Sequence, residues 1–324
     1  MAMEPDFSSL ESSRVLVTGG AGFIGSHLAT ALSALGAGVV VLDDLSGGGN
    51  PAALPPAVRF VRGSILDQAL LADCTAGCRF VFHQAALGSV PRSVEQPRLF
   101  HDVNVTGTLN VLEAARSAGV KRIMFAASSS AYGDSPTLPK IETMPPSPRS
   151  PYAANKVAAE AMISAYAASY GMDGVSLRYF NIFGPRQSAD NAYAAVIAAF
   201  AKAILGGQRP VIFGDGTQSR DFTYVDNVVR ANLLAATAIK PLNGAVINIA
   251  CGQRVTVTEL GTEMAALLGR ADLTPEYREE RAGDVKHSLA DLSAASSVLG
   301  YAPVVDFKAG LKTTVEWYRS SFAR

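Results

Sequence analysis

Cysteine is scarce in this chain. Cys74, Cys78 and Cys251 are the three in 324 residues, an odd number with no C-x-x-C pair. That pattern argues against a disulfide framework and against a structural zinc site, and it reads as small core-filling side chains in a reducing compartment. Charge is scarce too, at 17% of residues. The 28 Lys and Arg are balanced by 28 Asp and Glu, so there is no basic excess for nucleic acid or an anionic membrane. From Val15 to Leu42 there is no charged residue at all. A signal peptide or membrane span is a poor reading of that stretch. Glycines interrupt it at 19, 20, 22, 25, 36 and 38, and Glu4, Asp6 and Glu11 precede it against one Arg14. No metal site is expected, and a soluble cytoplasmic protein is.

What the chain has is apolar residues, 48% of the total. They can bury a large core and exclude a disordered chain, and the length suggests roughly two domains. Short β-rich runs alternate with helical ones. The expected strands are 14–18, 38–42, 58–62, 79–83, 122–127 and 175–179. The expected helices are 26–35, about 103–117 and 151–169. Such βαβ alternation predicts an α/β fold, a Rossmann-like doubly wound parallel sheet covered on both faces. After Asn181 the rhythm weakens: a helix at 194–205, a short strand at 210–213, a turn at 214–218, a helix at 226–238 and a late strand at 245–250. The expected organisation is a first domain over 1–180, with 226–250 returning to it. A smaller interleaved lobe is built from 181–225 and 251–324. Ligands of open α/β sheets bind beyond the carboxyl ends of the strands, so a second lobe there makes a cleft.

VTGGAGFIGSHL (17–28) leaves a buried strand and enters a helix, with Gly19, Gly22 and Gly25 spaced G-x-x-G-x-x-G. Small residues let the backbone approach a pyrophosphate, and the helix N-terminus offers N–H donors and the positive end of its dipole. Asp43 lies 18 residues after Gly25, at a strand end. A carboxylate there can accept the adenosine-ribose hydroxyls and prefers NAD over NADP, whose 2′-phosphate it would repel.

Tyr152 and Lys156 stand i, i+4 near a helix start, on one face. A free phenol has a pKa near 10. A nearby ammonium favours the phenolate and makes a general base usable near neutral pH. The preceding strand ends in Ser128, Ser129 and Ser130, which brings hydroxyl, phenol and ammonium to one sheet edge.

With these elements in order the chain resembles the extended short-chain dehydrogenase/reductases, and among them the nucleotide-sugar epimerases. The match runs from about Arg14 to the C-terminus. It includes HQAA (83–86), AASSSAYGD (126–134), YAANK (152–156), RYFNIFGPRQ (178–187), GDGTQSRDFTYVDNV (214–228) and RAGDVKHSLAD (281–291). The resemblance implies bound NAD in the first lobe, a UDP-sugar in the second and a homodimer. The dimer would form through helices near 103–117 and 153–169, whose Ala153, Ala154, Ala158, Ala161 and Ala165 would permit close packing. It gives Ser128 the catalytic hydroxyl, Tyr152 the base, and Lys156 the nicotinamide ribose and the tuning of the tyrosine. Cofactor contacts fall on Gly19, Gly22, Phe23, Ile24, Gly25, Asp43, Asp44, Ser46, Ser64, Ile65, Gln84, Ala85, Ala86, Asn104 and Lys156. Substrate contacts fall on Ser89, Ser129, Asn181, Ala195, Val196, Arg220, Arg281, Asp284 and Ser288. Arg220 and Arg281 would sit on the diphosphate and Asp284 towards the uridine ribose. Ser64 is a departure, since the family usually has Asp there facing the adenine amino group. This bears on affinity for NAD rather than on its identity.

The same scaffold serves several reactions. Related dehydratases carry Asp-Glu after the catalytic hydroxyl, and decarboxylases a Glu. Ser129 and Ser130 cannot act as a carboxylate base. What the resemblance leaves is 4-epimerisation: oxidation at C4, rotation of the flat 4-keto sugar about its diphosphate, and hydride return to the other face. AALGSVPRS (85–93) is similar to bacterial UDP-N-acetylglucosamine 4-epimerases and their uronic-acid relatives. Ser288 aligns with a gate position filled by tyrosine in some UDP-glucose enzymes, and a serine leaves room for a 2-acetamido group. The expected substrates are therefore UDP-N-acetylglucosamine and UDP-N-acetylgalactosamine, with UDP-glucose and UDP-galactose as further candidates. One alternative is a 4-epimerase of UDP-glucuronate or UDP-N-acetylglucosaminuronate, which needs a cluster around C6 such as Arg92 and the serine run. Another, of a different class, is a silent nucleotide-sugar binding protein, which the intact Ser128, Tyr152 and Lys156 disfavour.

Overall fold

The computed structural model describes residues 5–189, 195–280 and 286–322. Seven parallel strands form one sheet: β1 (Arg14–Thr18), β2 (Gly38–Asp43), β3 (Arg59–Arg62), β4 (Phe80–His83), β5 (Arg122–Ser128), β6 (Gly174–Tyr179) and, far along the chain, β11 (Ala245–Ile249). Their order is β3-β2-β1-β4-β5-β6-β11. The chain reverses direction of travel between β1 and β4, which opens a crevice at the carboxyl ends of those strands.

Why these runs become buried strands follows from their period of two. Val15 and Val17, Phe80 and Phe82, and Val175 and Leu177 point to one face, with α1 (Phe23–Ala34) and α8 (Val225–Thr237). Leu16, Val81, Ile123 and Phe125 point to the other, where α2 (Gln68–Thr75), α5 (Gly107–Ser117) and α6 (Pro151–Tyr170) pack. Both faces are covered, so the strands carry near-continuous apolar residues. The short helices α3 (Val90–Glu95) and α4 (Pro97–His101) precede α5. Sequence periodicity gives no sign of either, being too brief to register.

The remaining elements make a separate core of Phe183, Phe200, Phe222, Phe307 and their neighbours. They are α7 (Val196–Leu205), α9 (Val257–Leu267), α11 (Phe307–Phe322) and three two-stranded pairings, whereas α10 (Ser293–Leu299) buries Ala295 and Leu299 in the core of the main sheet. Those pairings are β7 (Ile182–Phe183) with β10 (Thr223–Tyr224), β8 (Val211–Phe213) with β13 (Glu276–Arg278), and β9 (Ser219–Arg220) with β12 (Val255–Thr256). The helix expected at 194–205 is described from Val196, Ala194 lying outside the described residues.

Buried Arg122 at the start of β5 joins distant parts of the chain. It pairs with Asp173 and donates to the carbonyls of Ala235, Ala236, Ala238 and Lys240. Those oxygens belong to the last turn of α8 and the residues after it, which have no partner inside the helix.

Among the described residues no helix is long and apolar enough to cross a membrane. Among them, too, no group of three or more His, Cys, Asp and Glu is placed to hold a metal.

Candidate active site

The glycine loop follows β1. Gly19 has φ +66°, and a Cβ there would lie 2.6 Å from the backbone N and Cα of Ala85. A Cβ on Gly25 would meet Gly19 O at 2.2 Å. Both glycines are therefore needed for the loop and α1 to close on the sheet. Gly22 differs. Its Cβ would meet Gly19 O at 3.2 Å and nothing else within 4 Å, so the backbone here borders open space. Gly22 is also the N-cap of α1 and supplies no side-chain acceptor, leaving the first N–H groups of α1, those of Phe23 and Ile24, to a ligand. The expected start of this helix at Ser26 is thus one turn late. The Phe23 and Ile24 side chains pack against the second core, so any cofactor contact from these two residues comes through their backbone.

Asp43, at the end of β2, accepts from Ala21 N (2.9 Å) and Leu45 N (2.8 Å). These bonds aim its half-buried carboxylate beside the loop. Exposed Asp44 is engaged by Ser46, whose N–H donates to it at 2.9 Å. Ser64 accepts from Leu66 N at 3.2 Å, so its oxygen caps a local turn. Ile65 is buried against Gly107, and its carbonyl accepts from Asn110. This cradle fits a dinucleotide: open backbone at Gly22, unclaimed helix donors and an oriented carboxylate.

Behind the crevice His83 is buried and fully engaged. Thr108 donates its hydroxyl proton to Asn104 O (2.7 Å), so His83 Nε2–H must donate to Thr108 Oγ1 (3.0 Å). That leaves His83 Nδ1 to accept from Thr18 Oγ1 (2.7 Å). Burial, with help from the Lys156 charge, pushes His83 down to about 3. It is a neutral brace for the loop 84–87, to which Thr18 also bonds through Ala85 N. Asn104, in a π-helical turn (Asp102–Thr106), spends both ends of its amide on Leu87 N and O. It shapes this loop rather than reaching out of it. Gln84 bonds Tyr179 and Asn232.

The reacting groups meet where β5 ends and α6 begins. Ser150 caps α6 by accepting from Ala153 N, and Pro151 occupies the first turn. This fixes Tyr152 and Lys156 one turn apart. Buried Lys156 donates to Ala126 O at 2.7 Å, and its Nζ sits 4.9 Å from the Phe125 ring centroid and 6.0 Å from that of Tyr152. Burial lowers Lys156 to about 8, opposed by Glu160 one turn on. Glu160 is itself held by Arg178 through two bonds of 2.9 and 2.7 Å. Burial pushes the Tyr152 phenol up, and a hydrogen bond from Ser128 pulls it back. Ser128, Tyr152 and Lys156 are thus brought together as expected.

The second lobe lines a cavity of about 760 Å³ bounded by Asn181, Ala195, Val196 and Arg220 among others, a size suited to a nucleotide. Asn181 has φ +40° and donates to Asp221 O (3.2 Å) and to Ser288 Oγ (3.1 Å). Arg220 donates to the carbonyls of Ser219 and Lys286. Ser89 caps α3 through Arg92 N, and Ser129 is half-buried in the turn after β5. Arg281 and Asp284 lie outside the described residues.

Sequence reasoning misses Asp221. It is buried, accepts from the N–H groups of Cys251, Gly252 and Ala290, and is pushed up to about 6 by burial. It ties three segments behind the cavity. Its signal was a carboxylate set among the apolar residues of RDFTYV.

A profile of the NAD dependent epimerase/dehydratase family matches residues 15–250. The chain belongs to that family. NAD is its cofactor, which the cradle at Gly22 and Asp43 accommodates. This epimerase-family chain is 41% identical over 315 residues to a UDP-glucose 4-epimerase of Mycolicibacterium smegmatis, covering 95% of this chain and 99% of the relative. Its fold is similar to that of a UDP-N-acetylglucosamine 4-epimerase from Methanobrevibacter ruminantium, solved with UDP-N-acetylmuramic acid. That likeness has a TM-score of 0.91 and 40% identity, covering 96% of this chain and 99% of the other. It is also similar to a UDP-glucose 4-epimerase of Thermus thermophilus solved with NAD, at a TM-score of 0.85 and 37% identity over 95% and 99% of the two chains.

Proposed function

We propose that the enzyme interconverts UDP-N-acetylglucosamine and UDP-N-acetylgalactosamine. It is an NAD-dependent UDP-sugar 4-epimerase, an isomerase. The observation that carries the finer reading is Ser288, whose small hydroxyl stands 3.1 Å from Asn181 Nδ2 beside the cavity residues. A serine here in place of a bulky ring supports a substrate with a 2-acetamido group.

NAD, when bound, supplies the hydride acceptor and donor at C4. Gly22, the first turn of α1 and Asp43 would hold it, and Lys156 would reach its ribose. Tyr152 takes the proton of the sugar 4-hydroxyl as its general base. The Lys156 ammonium beside its ring and the Ser128 hydrogen bond both favour the phenolate. In the return half-reaction Tyr152 gives the proton back to O4. Asn181, Arg220, Ala195 and Val196 hold the nucleotide end in the cavity, with Arg281 and Asp284 as further ligands. The sugar must turn over about its diphosphate, which requires the nucleotide to stay anchored meanwhile. In the proposed division, 1–180 with 226–250 binds NAD, and 181–225 with 251–324 binds the UDP-sugar.

The proposal includes a homodimer. Ala154, Ala161 and Ala165 are exposed and Ala158 is half-buried, so they line one outer face of α6. Leu109 on α5 is exposed as well, as are Val90 and Val94 on α3. Ala153 departs from the expected stripe and is buried within its own chain.

Incubation of the purified protein with separate UDP-sugars, without added cofactor, tests the reading. Fastest conversion of the N-acetylated pair supports it. Turnover confined to UDP-glucuronate would replace it, and no turnover on any UDP-sugar would end the enzymatic reading.

A further inference from the structure

We propose that Ser130 is a positioning residue that makes Ser128 a one-way hydrogen-bond donor towards the reacting oxygen. The inference rests on the roles given above to Ser128 and Tyr152.

A serine hydroxyl has one proton and two lone pairs. Ser128 ends β5 and is the N-cap of the 3₁₀ turn Ser129–Tyr132. Its oxygen accepts the backbone N–H of Ser130 at 3.2 Å and the Ser130 hydroxyl at 2.8 Å. Both lone pairs are then filled, and what remains is the single O–H. It can be given to the Tyr152 phenol oxygen or to sugar O4 placed between them. It cannot be turned round to accept from either.

That direction matters in both halves of the reaction. As the 4-hydroxyl loses its proton to Tyr152, negative charge builds on O4 and a fixed donor stabilises it. When the 4-keto group is reduced, the same donor polarises the carbonyl. No bond to Ser130 breaks and no proton leaves it. The proton that moves is exchanged between O4 and Tyr152, while Ser130 keeps Ser128 pointing the useful way. A Ser128 that could also accept would spend part of its time with its proton aimed elsewhere. The charged groups around this oxygen from the packed elements are Lys156 on α6 and, beyond it, the Glu160–Arg178 pair. None of them bonds Ser130 among the described contacts.

The experiment compares Ser130→Ala, Ser130→Thr and Ser128→Ala, each saturated with NAD. Readouts are kcat, KM and the pH profile of kcat on the UDP-sugar that the wild type converts best. Freeing one lone pair of Ser128 should lower kcat about five- to tenfold, the scale of one lost hydrogen bond, with KM within about twofold. It should also move the acidic limb of the profile to higher pH, because the phenolate loses part of its donor. Ser130→Thr, which keeps the hydroxyl, should restore both. Unchanged turnover in Ser130→Ala, or a lower kcat with an unmoved limb that threonine does not rescue, would overturn the proposal. Near-wild-type turnover in Ser128→Ala would instead overturn the reading beneath it. Should Ser130→Ala fail to fold, Ser130→Cys, near in size but a weak donor, carries the same comparison.

Discussion

Acidification should weaken this protein through one histidine, and the size of the loss can be worked out. His83 is neutral in the fold, donating from Nε2 to Thr108 and accepting at Nδ1 from Thr18. A proton on Nδ1 would face the oxygen of Thr18 in a site closed to solvent and beside Lys156. Its pKa falls from 6.5 to about 3, so between those values the unfolded chain binds more protons than the folded one. The stabilisation is complete above pH 6.5 and is lost as pH falls towards 3. At about 1.36 kcal/mol per pH unit, the loss at pH 5 is about 2 kcal/mol. Asp221 works against it. Raised from 3.8 to about 6, it stabilises fully below 3.8 and loses that contribution as pH rises through 6. It therefore returns roughly 1 kcal/mol between neutrality and pH 5. A wild-type measurement alone would mix the two. The comparison is His83→Gln, which keeps a donor for Thr108 and does not titrate. Urea unfolding of both NAD-saturated proteins, followed by circular dichroism and Trp317 fluorescence, should be run near pH 7.5 and pH 5. Wild type should lose about 2 kcal/mol more than the variant across that interval. Equal losses in the two proteins would refute the reasoning about His83, whatever the absolute stability of the variant.

Three further outcomes are expected. Tyr152→Phe should cost turnover about 10²- to 10⁴-fold while NAD content and UDP-sugar binding by calorimetry stay close to wild type; preserved activity would remove Tyr152 as the base. Asp43→Ala should release NAD more readily, read as cofactor retained after gel filtration, and unchanged retention would show that its carboxylate is not a ribose ligand. Ser288→Tyr places a ring against Asn181, and overpacking costs roughly 1–3 kcal/mol. N-acetylated substrates should then lose at least about tenfold in kcat/KM and UDP-glucose less; an unchanged ratio would take away the gate.

The sheet was legible because its strands are buried on both faces. RVLVT and GVVVL offer no polar alternation to confuse them, and glycines mark their ends. The reacting centre was legible because Tyr152 and Lys156 lie one turn apart on one helix, so their proximity is already in the spacing. What escaped depends on contacts distant in sequence. Nothing near His83 says that Thr18 and Thr108 will bracket its ring, nor near Asp221 that Ala290 and Gly252 will close on its carboxylate. Ser130 escaped for the opposite reason. Its partner is two residues away, but two neighbouring serines look alike until a turn decides which one receives.

The long-range ties of Arg122 bear on how the chain can be made. Its guanidinium finds its carbonyl partners at 235–240, and β11 pairs with β6 across some seventy residues of intervening chain. A growing polypeptide that has just finished β6 holds an open sheet edge and a cation with most of its acceptors still unsynthesised. Native closure of the first lobe must wait until the 181–225 part of the second has emerged. Shortened versions ending near residue 180 should therefore aggregate rather than fold, and recovery of one as a soluble NAD-binding monomer would contradict this. Evolution could exchange substrate loops on such a scaffold, but it could not readily shed the second lobe, because the thread that builds the substrate cavity also returns to seal the sheet.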